Sequence, residues 1–440
     1  MTYAEATSFL FGLRRFGWRL GLDTIRRLLA LIGDPQDALP TVHVGGTNGK
    51  GSTAAMLGAI LQEGGYRTGL YTSPHLLSFT ERIRVDGLPI DEAEVTSLVG
   101  ELERLCAAHF APAPIPEPDA RQLPHPTFFE LTTAMAFLHF VRQQAEVAVI
   151  EVGLGGRFDA TNVILPRAAV ITNIALDHQE YLGESLAEIG REKAGIVKPG
   201  VPLVTAADGE ALEVIARTAA ARAAPLVHVT QAYRVSHLVS TVAGHTFDLG
   251  GPTRPYPGIH VPLAGRHQVE NALTAIAAAE VLEARGLRLG EAAIRGGLAR
   301  ARWPGRLQSV AGRPRILLDG AHNPAGAAAV AGFLHEHRTA LRRVILVFGV
   351  LKDKDWSGML GALAPLADRI ILTHPPTQRG ADPQDLLAAS RFGVPAEIQP
   401  EVGPALERAR ALAGTEDTIV VTGSLYTVAA ALQALNIAVG

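Results

Sequence analysis

Val44-Gly45-Gly46-Thr47-Asn48-Gly49-Lys50-Gly51-Ser52-Thr53 is the stretch on which the reading of this chain turns. An apolar run at 42–45 leads into it and a helical segment, 52–63, leads out. Strand, glycine-rich turn and helix in that order aim successive backbone N–H groups and a helix N-terminus at one point, which makes a cradle for phosphate oxygens. Lys50 has the length to reach β- and γ-phosphates, and Ser52 or Thr53 can touch a Mg ion. The stretch departs from the common phosphate-loop pattern: Val44 stands where its first glycine belongs, and Gly51 separates Lys50 from Ser52. Alone it argues for a nucleoside triphosphate site and nothing narrower, against a glycine-rich turn with an incidental lysine.

Outward from this turn, short apolar runs alternate with helical segments. Runs at 68–71, 147–152 (VAVIEV), 168–172 (AAVIT) and 201–205 read as strands, the second and third buried on both faces. Pro112, Pro114, Pro116, Pro118, Pro124 and Pro126 make 111–126 a loop. The alanine-rich segment 271–285 is a helix that packs closely. Trp303-Pro304-Gly305-Arg306 interrupts the chain, and a second series follows with strands at 315–318, 344–348, 369–373 and 418–422. The expected fold is α/β: an N-terminal domain, 1–303, with a phosphate-loop-type, mostly parallel sheet, and a C-terminal Rossmann-like α/β domain, 304–440.

The totals fit this picture. A chain of 440 residues exceeds one ordinary core. With 48% hydrophobic and 19% charged residues it is globular in composition, not disordered. A formal net charge of -3 argues against a general nucleic-acid-binding surface. The single Cys106 rules out an intrachain disulfide and fits a reducing compartment. Neither a secretory leader nor a membrane-span-length apolar run is evident, so the expected location is the cytoplasm.

The segments GTNGKGS (46–52), TSPHL (72–76), TERIRVDG (80–87), EVGLGGRFDATN (151–162), LDHQ (176–179), REKAGI (191–196), WPGRL (303–307), DGAHNP (319–324) and TGSLY (422–426) follow one another in order. Together they resemble the folylpolyglutamate synthase / dihydrofolate synthase family of the Mur ligase superfamily. The likeness spans nearly the whole chain, and the departure at 44–52 is the family's own form of the turn. It implies an ATP-dependent carboxylate–amine ligase: ATP phosphorylates the substrate carboxylate, and the amine of L-glutamate attacks the acyl phosphate. The N-terminal domain would be the ATPase and the C-terminal one the glutamate ligase domain.

Some of the site is legible from the residues and the rest from the resemblance. Glu151 ends a buried strand at the carboxyl edge of the sheet, where a carboxylate calls for a cation. The resemblance makes Glu151 and Ser73 ligands of one Mg2+, although Ser73 beside Pro74 by itself is a turn residue. It assigns His178 to a second Mg2+, and it implies that Lys193 is carbamoylated and helps hold that ion; by itself Lys193 is a solvated lysine. Carbamoylation requires a neutral amine and so a lowered pKa. Lys50, His178 and Lys193 are the expected catalytic residues. ATP is expected on Thr47, Asn48, Gly49, Lys50, Gly51 and Ser52, with Arg306, Asp319 and Asn271 added by resemblance; Asn271 also reads as a helix-start cap. Asn323 and Pro324 suit a helix cap and first position.

In bifunctional members, the segments matching Thr127-Phe128-Phe129-Glu130 and Phe158-Asp159-Ala160 bind the pterin of dihydropteroate. Aromatic faces can stack on a pterin and a carboxylate can accept its N–H groups, while Phe128 and Phe129 equally suit plain core packing. Arg19 is a looser match, and Ser424 and Tyr426 are guesses for the glutamate site. The implied partners are small molecules: dihydropteroate or reduced folates, L-glutamate and ATP. No nucleic acid or membrane is expected, and the family is often monomeric. Three alternatives stay open: folylpolyglutamate synthase alone, a muramyl-peptide ligase of the same superfamily, and a nucleotide-gated binding protein without ligation.

Overall fold

The computed structural model describes residues 1–17, 21–111, 123–389 and 392–438. Arg19 and most of the proline-rich segment lie outside them. The phosphate turn sits at the centre of an eight-stranded sheet. In spatial order its strands are Leu88–Pro89, Ile83–Val85, Thr68–Tyr71, Val147–Glu151, Thr41–Gly45, Ala168–Ile171, Leu203–Thr205 and Leu226–His228. All pair in parallel except the two edge strands at Leu88–Pro89 and Ile83–Val85. Strand Thr41–Gly45 lies between two strands that come later in the chain, so connections leave it to both sides. Such a reversal opens a crevice at the carboxyl ends of the strands.

The central strands are buried throughout, because helices cover both faces. On one side, helices Lys50–Glu63 and His267–Ala284 pack through Ala54, Leu57, Ala272, Ala275 and Ile276. On the other, helices Glu92–His109 and Phe128–Arg142 supply Leu98, Leu102, Phe137 and Phe140. At about 25 cal/mol per Å2 of apolar surface removed from water, cores of this kind supply most of the drive to fold.

Helix His267–Ala284 begins one turn earlier than the sequence suggests, and its cap position is Arg266. Asn271 is therefore inside the helix and does not cap it, which leaves its amide for other partners. Three antiparallel strands, Arg234–Thr241, Gly244–Gly250 and Tyr256–Val261, form a separate small sheet that the sequence reading did not anticipate.

A second, six-stranded sheet follows Trp303. Its order is Gln308–Val310, Arg315–Leu318, Thr418–Thr422, Val344–Phe348, Arg369–Leu372 and Ala396–Ile398, all parallel but the first. Four of these strands are where the sequence placed them. Helix Pro324–Glu336 opens as expected: the side chain of Asn323 accepts from Gly326 N at 2.8 Å and Pro324 takes the first position. Among the described residues no helix is long and apolar enough to cross a membrane.

Candidate active site

A cavity of about 410 Å3 lies where the two sheets' carboxyl ends meet. From the eight-stranded side it is lined by the turn 46–52 and by Ser73, Glu151, His178, Lys193 and Asn271; from the six-stranded side it is lined by Arg306, Asp319 and His322. The expected ATP, metal and catalytic residues are thus brought together, although they run from Thr47 to Asp319 in the sequence.

The turn is shaped by close approaches. Gly49 has φ +81°, and a Cβ there would collide with the amide of Asn271. Gly51 has ordinary backbone angles but lies under Trp303, whose ring would be 2.7 Å from an added Cβ. The glycine that breaks the common pattern is therefore where the indole from the connection between the sheets rests. Lys50 Nζ donates to the carbonyls of Gly46 at 3.1 Å and Thr47 at 3.0 Å. Ser52 receives a bond from Gln268 Nε2 at 3.3 Å, and Gln268 in turn accepts from Asn271 at 3.0 Å. Gln268 carries no motif signal in the sequence; only the helix pairing reveals it.

Lys193 closes helix Leu186–Lys193 and is 4% exposed, so the reading as a solvated lysine is overturned. Its Nζ donates to Gly46 O at 2.9 Å. Burial, and then the charge of Lys50, lower its pKa to about 7, so a neutral amine is available near physiological pH. Glu151 is 3% exposed and accepts from Ser73 N at 2.9 Å. Burial raises its pKa against the pull of Lys50 and the Ser73 N–H. A buried carboxylate so placed, with hydroxyls at Ser73 and Ser52 beside it, is a donor set suited to a hard cation. Among the described residues no three His, Cys, Asp or Glu side chains are placed to hold a metal ion together, so an ion here would keep water or substrate oxygens as further ligands.

His178 stands half-exposed with φ +51°, before the short helix Gln179–Leu182. Burial lowers its pKa to about 4, against the neighbouring Asp177. Asp177, which the sequence offered only as part of LDHQ, is a hub. Its Oδ1 accepts from Lys354 Nζ at 2.7 Å and its Oδ2 from Asn323 Nδ2 at 2.9 Å. Asn323 also donates to Asn48 Oδ1, in the phosphate turn, at 3.0 Å. Burial raises the Asp177 pKa, but His178, Lys354 and His322 together pull it well below the usual carboxylate range. Lys354 and Asn323 belong to the six-stranded part, so this network stitches the two parts together beside the cavity. Asp319 is held by Leu307 N and Ala321 N, each at 2.8 Å.

The expected pterin residues do not line this cavity. Thr127 caps helix Phe128–Arg142, and its N–H and Oγ1 reach Glu130 at 2.8 and 2.9 Å. Phe129 packs on Gly153 and Phe128 on Phe11, while Phe158 lies beside Arg157 and Ala160 is buried. Asp159, 2% exposed, accepts from Gly153 N, Leu154 N, Thr161 N and Thr161 Oγ1. These bonds hold the EVGLGGR turn. Ser424 caps helix Leu425–Ala434, and Tyr426 is exposed.

Two family descriptions match: Mur ligase middle domain over residues 44–279, and Mur ligase, glutamate ligase domain over residues 305–425. The chain is 38% identical to the dihydrofolate synthase/folylpolyglutamate synthase of Bacillus subtilis, over 96% of this chain and 97% of that protein. The folylpolyglutamate synthase of Mycobacterium tuberculosis, solved with ADP and AMPPCP, superposes with TM-score 0.87 at 36% identity, covering 97% of this chain and 98% of that one. The Escherichia coli protein solved in complex with DHPP and ADP superposes with TM-score 0.84 at 34% identity, covering 99% of each chain.

Proposed function

The chain belongs to the Mur ligase family, among the dihydrofolate synthases and folylpolyglutamate synthases, and from that premise we propose how its residues divide the work. It is an ATP-dependent acid–amino-acid ligase that joins L-glutamate to dihydropteroate and to folates. The observation that carries the residue assignments is the single cavity in which Lys50, Lys193 and Glu151 from one part face Arg306 and Asp319 from the other.

A carboxylate repels an amine, so it must first lose its charge as an acyl phosphate. Thr47, Asn48, Gly49, Gly51 and Ser52 hold the triphosphate, the last three by backbone N–H and hydroxyl groups. Lys50 leaves the carbonyls of Gly46 and Thr47 for the β/γ-phosphates and stabilises charge as the phosphoryl group moves. Asn271, Arg306 and Asp319 place the nucleoside end. Ser73 and Glu151 would hold one Mg2+, and His178 with a carbamoylated Lys193 a second, and the ions would neutralise phosphate charge. The burial of Glu151 and the lowered pKa of Lys193 support those ligands. The chain's own contribution is positioning and exclusion of water as the two parts close. Thr127, Phe128, Phe129, Glu130, Phe158, Asp159 and Ala160 form the pterin wall, with Asp159 also fixing the EVGLGGR turn.

The domain boundary falls at 303–304, supported by the change of sheet after Trp303. A monomer in the cytoplasm completes the reading, the latter supported by the single, buried Cys106. The test incubates the protein with ATP, Mg2+ and glutamate plus either dihydropteroate or a reduced folate. ADP release that depends on the acid, with glutamate added by mass, is expected for both. Ligation of a muramyl nucleotide instead, or ADP release without any acid, would overturn it.

A further inference from the structure

Helices Lys50–Glu63 and His267–Ala284 meet through alanine, leucine and isoleucine, yet one polar residue is sealed between them. Gln268 is 0% exposed. Its Nε2 donates to Ser52 Oγ at 3.3 Å, and its Oε1 accepts from Asn271 Nδ2 at 3.0 Å. A buried primary amide costs stability unless it is paired, and an apolar side chain would suit the helix contact better. What distinguishes a glutamine here is its effect on these two partners. Both of them line the cavity, as Gln268 does.

The direction of the two bonds decides what Ser52 can do. Asn271 places an N–H on Gln268 Oε1, which leaves the amide nitrogen of Gln268 pointing at Ser52. Ser52 Oγ thereby receives a hydrogen and must aim its own elsewhere. The carbonyl one turn back, Asn48 O, is a common acceptor for a helical serine, but it receives Thr172 Oγ1 at 2.7 Å. Among the described residues Ser52 Oγ has no other partner, and its open side is the cavity. Thr53 does not take this place: it is 0% exposed, its Oγ1 has no partner, and it does not line the cavity. We propose that Gln268 is a positioning residue that turns the Ser52 hydroxyl into a hydrogen-bond donor to a nucleotide phosphate. A hydroxyl aimed this way serves a phosphate oxygen, whereas a metal ion would need its lone pairs. The inference rests on the nucleotide reading above and adds a link to it: Asn271 at the nucleoside end and Ser52 at the phosphate end are joined through one side chain.

The test is a double-mutant cycle on AMPPCP affinity, read by calorimetry with Mg2+ and again in EDTA. Ser52→Ala is expected to weaken binding about tenfold in both media, the loss of one hydrogen bond to a charged group. Gln268→Met, of similar length, is expected to weaken it about fivefold in the wild-type background and less than about twofold in the Ser52→Ala background. Thermal melting reports folding. A purely structural Gln268 would cost the same in both backgrounds, and that result overturns the proposal. So does a Ser52→Ala loss that disappears in EDTA, because the hydroxyl would then act through the metal. Should Gln268→Met not fold, Gln268→Glu takes its place, an acceptor that draws the Ser52 hydrogen back. It is expected to lose more affinity in the wild-type background than in the Ser52→Ala background, and equal losses overturn the proposal. A folded wild type that binds no AMPPCP in either medium would refute the nucleotide reading itself.

Discussion

In the phosphate turn the backbone N–H groups of Thr47 and Asn48 and the ammonium of Lys50 find partners inside one lobe: Thr47 N on Asn173 O at 2.7 Å, Asn48 N on Asn173 Oδ1 at 3.0 Å, Lys50 on Gly46 and Thr47. Along the seam the partners cross: Lys354 reaches Asp177, and Asn323 reaches both Asp177 and Asn48. Most of the turn's bonds are therefore internal to its own lobe, with Asn48 Oδ1 its one named link to the other. The seam exists only when the lobes are closed, so its hydrogen bonds measure closure. In the proposed mechanism the first arrangement supplies charge stabilisation and the second supplies geometry, and they should fail differently when broken.

The largest effect belongs to the turn. Lys50→Ala should lower kcat by about 10^3-fold or more while the melting temperature stays close to wild type. Near-normal turnover in a folded variant would remove the turn from the chemistry. Lys193→Ala should lose about 10^2-fold, the usual range for a residue that supports a metal site. If the residue acts as a carbamate, short-chain carboxylates should restore part of that rate, and carbon dioxide-free buffer should depress the wild type until bicarbonate is added. An activity indifferent to both would return Lys193 to a structural role.

The seam comes next. Lys354→Met and Asp177→Asn should each lower kcat/KM by about 10- to 30-fold, because each leaves a buried charge alone. The double variant should lose little more than either, since the two act as a pair. Losses that simply add would break the idea of a shared clasp. The smallest effect sharpens the metal assignment: without Mg2+, Glu151→Gln should be more stable than wild type by about 1 kcal/mol, a rise of a few degrees, because a buried charge is removed. Mg2+ should then raise the melting temperature of wild type and not of the variant.

This contrast also explains what could be read in advance. The turn, the strand ending at Glu151 and the cap at Asn323 are local patterns, and each was visible. Asp177 and Lys354 are 177 positions apart, and no spacing rule links them. Lys193 read as a solvated residue because its neighbours on helix Leu186–Lys193 are polar; it is buried because the helix end tucks under Gly46. The small antiparallel sheet escaped because strand Arg234–Thr241 is largely exposed and strand Gly244–Gly250 shifts register, which blurs the period of two. The resemblance supplied roles, such as a modified lysine, that no physical pattern in the chain contains.

The carbonyl of Gly46 receives both Lys50 and Lys193. An ammonium docked on its own loop is a stopper, and a triphosphate bound there as proposed would have to evict it. Recognition is then a trade: the visitor is kept only if it offers the displaced lysine something better than the backbone oxygens it gave up. A nucleoside without terminal phosphates makes no such offer, and should leave the Lys50 bonds to Gly46 and Thr47 in place.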